Sequence, residues 1–162
     1  MKPNLSPDEI KLRRAFGSFP TGVTIVTGLT ADGKPTGVTI SSFNTVSMQP
    51  PMVLWSLVNS SKNLPNFQVG KSHLIHILAD NQGDLALHFA KSGIDKFESL
   101  SFQSTSSGLP KLDGCVSYLE CVTDACHASG DHTIIVSKIT HVETNDLNPL
   151  VYGRSKFTKL QF

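Results

Sequence analysis

Two runs rich in β-branched residues, GVTIVTG (22–28) and PTGVTIS (35–41), flank the tetrapeptide ADGK. Branching at Cβ favours the extended backbone, where such side chains pack on a pleated surface. Asp32-Gly33 supplies the positive φ of a tight turn, so the two runs are read as an antiparallel hairpin. Further strands are expected at PMVLWSLV (51–58) and HLIHILA (73–79), and in the long pair CVSYLECVTDACHAS (115–129) and HTIIVSKITHVET (132–144), joined at SGDH. PLVYGRSKFTKL (149–160) reads as a last strand, with Gly153 as a bulge or a point of close approach. Two helices interrupt this series. SPDE (6–9) is a capping box that starts a helix running to about Phe16, broken by Gly17 and Pro20. Between Gln82 and Lys91, Leu85 and Phe89 are four apart, as are Ala86 and Ala90, which sets two apolar ridges on one helix face. SKNLPNF (61–67) reads as a loop with one helical turn, and 92–113 as irregular.

A parallel sheet needs a helix in most of its crossovers, and two helices are too few for six or seven strands. The expected fold class is therefore mainly β with short helices, an antiparallel barrel that is closed or nearly so. One domain over 1–162 is expected, with residues 1–17 leading into the barrel. A net charge of +1 with no basic run points to neither nucleic acid nor an anionic membrane surface. No stretch approaches the roughly 18 apolar residues of a bilayer span, and MKPNLSPDEIKLRR lacks the apolar segment of a signal peptide. Three cysteines in such a chain read as free thiols, and the cytoplasm is the expected compartment.

The usual nucleotide and nucleophile signatures are absent: no G-x-G-x-x-G after a strand, no G-x-x-x-x-G-K-[ST], no G-x-S-x-G. Cys115 and Cys121, six apart on one expected strand, would lie roughly 20 Å from each other, too far to share a zinc ion. Cys126, an odd number of residues further, is expected on the opposite face, and no metal site is read. His73, His76 and His141 fall in apolar strands as packing residues, so no acid–base motif emerges. Three features leave more than one reading open. Gly130-Asp131-His132 suits a hairpin turn, though a histidine there can also face a ligand. Asn59-Ser60-Ser61-Lys62 is either a polar connection or a loop that holds a phosphate through backbone amides and one ammonium. The row Ser41, Ser42, Asn44, Thr45, Ser47, ahead of Pro50-Pro51, is either an ordinary loop or a shelf for a flat polar ligand.

Taken in order, these pieces resemble the flavin reductase family, the NAD(P)H:flavin oxidoreductase components of two-component monooxygenases. The matching segments are FPTGVTIVT (19–27), DGKPTGVTISSFNTVSMQPPMVLWSL (32–57), NSSK (59–62), NFQVGKSHLIHIL (66–78) and LALHFA (85–90). GLPKLDG (108–114), LEC (119–121), GDH (130–132) and PLVYGRSKF (149–157) continue the series, so the resemblance runs from about residue 12 to the end. It implies a split β-barrel that binds FMN or FAD, as a homodimer. It also implies that Thr39, Ser41, Ser42, Phe43 and Asn44 lie along the isoalloxazine, with Leu54, Trp55 and Ser56 continuing that wall. By the same resemblance Ser60, Ser61 and Lys62 meet the flavin phosphate, Phe89 and Ala90 approach the ring or ribityl chain, and His132 positions the nicotinamide. Phe157 stands where the family more often has Tyr, with Gly153 earlier than in the commoner pattern. Ser56 replaces a residue that is often Cys or Ala.

The implied chemistry is hydride transfer from NADH or NADPH to flavin, with reduced flavin passing to a separate monooxygenase. The cofactors carry such chemistry, which accounts for a chain without an acid–base motif. Two rivals keep the same barrel: a carrier that holds flavin without turning over the nicotinamide, and a barrel whose pocket takes another apolar ligand or haem.

Overall fold

The computed structural model describes residues 6–160; residues 1–5 and 161–162, including the first part of the 1–17 segment, lie outside the described residues. Helix α1 (Pro7–Gly17) begins at the expected capping box, with the Ser6 hydroxyl accepting from the Glu9 amide and the Glu9 carboxylate accepting from the Ser6 amide at 2.7 Å. Strands β1 (Thr21–Gly22), β2 (Thr24–Leu29), β3 (Pro35–Ile40), β4 (Asn44–Met48) and β5 (Pro51–Val58) follow, then a 3-10 turn at Leu64–Phe67. Strand β6 (Ser72–Ile77) precedes α2 (Gly83–Ala90), and β7 (Gln103–Ser104) and β8 (Pro110–Lys111) form a small hairpin. The chain ends in β9 (Ser117–Ser129), β10 (His132–Thr144), β11 (Leu150–Gly153) and β12 (Lys156–Lys159).

Seven strands make one antiparallel sheet in the order β3-β2-β6-β9-β10-β5-β4, and β1-β11-β12 make a second. Its edge strands β3 and β4 are joined by only three residues, 41–43, so the large sheet must curl. Among the described residues no ladder joins β3 to β4, so hydrogen bonds do not close a complete ring. The sheet is buried on both faces at its centre. Ile25 and Leu74 enter one core cluster with Phe89 and Leu112, while their neighbours Val26 and Ile75 enter the other with Trp55, Phe67 and Ile135. That is why β2 is buried from Thr24 to Gly28 without a break, whereas β5 alternates, with Val53, Trp55 and Leu57 inward and Met52, Leu54 and Ser56 less buried.

Several expectations need correction. PLVYGRSKFTKL is a hairpin, because Arg154 and Ser155 both take positive φ (50° and 62°) and reverse the chain without a glycine at the turn. Part of the polar row is itself an edge strand, since 44–48 pairs with β5. Cys115 precedes β9 in a loop and packs in the first cluster. Cys126 returns to the side of Cys121, because Ser137 faces Thr123 while Val136 faces Ala125, leaving Asp124 as a bulge that shifts the alternation by one. All three thiols are unpaired. His141 is exposed, whereas His73 and His76 are fully buried. Among the described residues, no helix is long and apolar enough to cross a membrane.

Candidate functional site

Three segments meet at the C-terminal end of β5, and the register of the sheet brings them there. Asn44 pairs with Leu54, which carries the 41–43 loop past Ser56. The Ser42 hydroxyl accepts from the Ser56 amide at 2.9 Å and donates to the Ser56 carbonyl at 3.1 Å. This double bond to one residue clamps the loop to the strand, so the Ser42 hydroxyl serves geometry rather than chemistry. Two residues further along, Val58 pairs with His132, which sets the loop after β5 beside the turn before β10.

Asn59 joins those two loops. Its amide donates to the Asp131 carbonyl at 2.9 Å and its Nδ2 donates to the Gly130 carbonyl at 3.2 Å, while its Oδ1 accepts from the Thr133 hydroxyl at 2.7 Å. On the other side of Ser60-Ser61-Lys62, Asn63 Nδ2 donates to the Gly37 carbonyl at 3.2 Å and Asn63 Oδ1 accepts from the Thr36 hydroxyl at 2.7 Å. The three residues between are thus held at both ends. Sequence reading passed over this bracketing role, because an Asn in a polar loop carries no mark of which distant carbonyl it will meet.

The donor set is open at two points. Among the described residues, the backbone amides of Ser42 and Phe43 have no acceptor, nor do those of Ser60 and Lys62. Lys62 is exposed and has no carboxylate within ion-pair distance. Unpaired amides beside a lone ammonium suit an anionic oxygen, and amides along a loop of small residues suit the polar edge of a flat ring. At the turn, His132 Nδ1 lies 2.7 Å from Asp131 Oδ1. A carboxylate only accepts, so Nδ1 carries a proton, and in the neutral ring Nε2 is the free acceptor. The same bond holds the Asp131 carboxyl below the usual carboxylate range.

Other expected residues are placed differently. Trp55 is fully buried, edge-on to Phe67 and His73, so its ring belongs to the core and lines no wall. Phe89 is equally buried, so its ring packs inside and leaves the exposed Ala90 as the surface of that corner. The Thr39 hydroxyl is committed to the Ala86 carbonyl at 2.7 Å, joining β3 to α2. The Ser61 hydroxyl accepts from the Asn63 amide at 3.2 Å, and the Asn44 side chain from the Thr45 amide at 2.9 Å. Ser41 and Ser60 are exposed, and Phe43 is half-buried against the second core cluster. Phe157 meets Tyr152 with the rings tilted at 58° and lies against Gly83, at the far end of α2 and about 10 Å along the helix from Ala90.

The flavin reductase like domain matches residues 16–161, and the chain belongs to that family. The FMN reductase (NADH) SmoA of Agrobacterium fabrum is 39% identical over 145 residues, covering 90% of this chain and 82% of that one. The reductase component of a flavin-dependent trigonelline monooxygenase from Acinetobacter baylyi is 36% identical over 147 residues, covering 91% of this chain. This chain spans about half of that relative's length, 47%. Among solved structures, the NADH:FAD oxidoreductase SgcE6 of Streptomyces globisporus, in complex with NAD and FAD fragments, superposes with a TM-score of 0.88 at 28% identity. That match covers 97% of this chain and 96% of the other.

Proposed function

We propose that the protein is an NADH:flavin oxidoreductase that delivers reduced FMN or FAD to a separate monooxygenase component. The observation that carries this reading is the meeting of the 41–44 loop, the 59–62 loop and the 130–132 turn at one end of β5, with open amides where a flavin needs donors. The relatives whose names specify a nicotinamide favour NADH over NADPH. The fold is read as a split barrel formed by one domain, because the Ser42 clamp ties the loop that follows β3 to β5, the strand that pairs with β4. A homodimer is the assembly that would cover the exposed Phe19 after α1 and Met48 on edge strand β4. The three free thiols favour the cytoplasm.

When bound, the flavin supplies the hydride-accepting chemistry. The chain's part is to hold and orient. Ser42 and Phe43 offer their amides to the polar edge of the ring, and the small side chains at 41, 42 and 44 let the backbone come close. The amides of Ser60 and Lys62, with the Lys62 ammonium, hold the phosphate. Asp131 orients His132 so that Nε2 faces the nicotinamide.

Two substitutions test these roles. Lys62→Ala is expected to raise the Kd of FMN by about tenfold, from loss of a charge-assisted hydrogen bond, and to leave riboflavin within about twofold. Equal weakening of both ligands would remove Lys62 from the phosphate. His132→Ala is expected to raise the KM for NADH about fivefold while flavin affinity stays nearly constant, as measured by steady-state kinetics and fluorescence titration. If flavin affinity fell by as much, His132 would belong to the flavin and not to the nicotinamide.

A further inference from the structure

The chain contains three arginines, and all three line one cavity. Arg13 and Arg14 come from the last turns of α1, and Arg154 comes from the β11–β12 turn at the other end of the sequence. The two elements are pinned by the Arg154 amide, which donates to the Gly17 carbonyl at 2.6 Å. Arg154 and Ser155 both sit at positive φ, where long side chains are uncommon, so the turn carries an arginine at some conformational cost.

Among the described residues none of the three guanidiniums forms an ion pair: every ion pair uses a lysine or a histidine. Glu9, one turn before Arg13, already has its carboxylate on the Ser6 amide. The remaining lining, Ile10, Gly17, Ser18 and Ser155, brings no negative charge. Three like charges around one space repel each other unless an anion enters, and the planar guanidinium fork matches the oxygens of a phosphate. At about 530 Å³ the cavity is far larger than a single phosphate ion, and Ile10 gives it one apolar wall.

We propose that this cavity binds a phosphate monoester, with the phosphate held by Arg13, Arg14 and Arg154 and the organic group directed to the wall at Ile10. It shares no residue with the loops at the end of β5, so it stands independently of the flavin reading.

The test uses the full chain and isothermal titration calorimetry with phenyl phosphate as probe. Phenyl phosphate is expected to bind, phenol is not, and inorganic phosphate is expected to compete. Arg14→Gln and Arg154→Gln should each raise the Kd about tenfold, the loss expected for one charged hydrogen-bond donor. Lys62→Ala should leave it unchanged. The substituted arginines are exposed, so circular dichroism should match wild type, and NADH:flavin turnover in phosphate-free buffer should be unaffected. The proposal is overturned if phenyl phosphate does not bind at millimolar concentration or if phenol binds as well. Failure of inorganic phosphate to compete would overturn it too. So would an unchanged Kd in the R13Q/R14Q/R154Q variant, or a loss of binding in Lys62→Ala, which would assign the anion to the 59–62 loop.

Discussion

Taking the protein from pH 7 to pH 5 is expected to lower its stability by about 4 kcal/mol, because two buried histidines cannot take up protons without leaving their places. Burial pushes both His73 and His76 down to about 4. The geometry of His76 explains why. Its Nε2 accepts from the Leu112 amide at 3.1 Å, so its Nδ1 carries the proton and donates to the Ile25 carbonyl at 3.0 Å. A second proton would turn that acceptor against the Leu112 amide inside a closed core. The unfolded chain protonates near 6.5 while the folded chain resists until about 4, so stability is lost as pH falls through that window. Each histidine contributes about 1.4 kcal/mol per pH unit below 6.5. Urea unfolding at pH 7, 6 and 5 measures the slope, and a flat profile would show that both rings can protonate in place.

Phe89→Ala is expected to cost about 3–5 kcal/mol and to lower Tm by about 10 °C, by loss of a fully buried ring and the cavity it leaves. The site at Gly37 is shaped to this ring: a Cβ there would lie 2.8 Å from Phe89 Cε1 and 3.0 Å from Cδ1. Phe97 meets the ring edge-on at 5.2 Å between centroids. Lys96 adds a polar brace, donating to the Gly37 carbonyl at 2.9 Å and the Phe89 carbonyl at 2.6 Å, and desolvation holds its ammonium below the usual lysine range. Calorimetry of the variant tests this, and a change under 1 kcal/mol would mean that α2 is not anchored through Phe89.

Strands β2, β3, β5, β6, β9 and β10, both helices and the turn at Asp32-Gly33 were legible because their signals are local: β-branched runs, a capping box, a glycine at positive φ. The short strands β4, β7 and β8 carry no such signal. The features that escaped are set by distant partners. A bulge at Asp124 reverses the face of Cys126, and periodicity alone cannot register one unpaired residue in a strand. Trp55 and Phe89 resemble ligand-wall residues by motif, yet the alternation of β5 and the contact with Gly37 turn both rings inward. The segments of the site were legible through their order along the chain. What joins them, Asn59 to the 130–131 carbonyls and Asn63 to Gly37, depends on the register of β5 against β10, which local sequence does not encode.

The central claim is tested most directly by mixing the purified protein with NADH and excess FMN or FAD and following absorbance at the nicotinamide band. NADH is expected to be oxidised only when protein and flavin are both present, with a rate that saturates in NADH and in flavin. Protein that binds flavin but leaves NADH unchanged would contradict it.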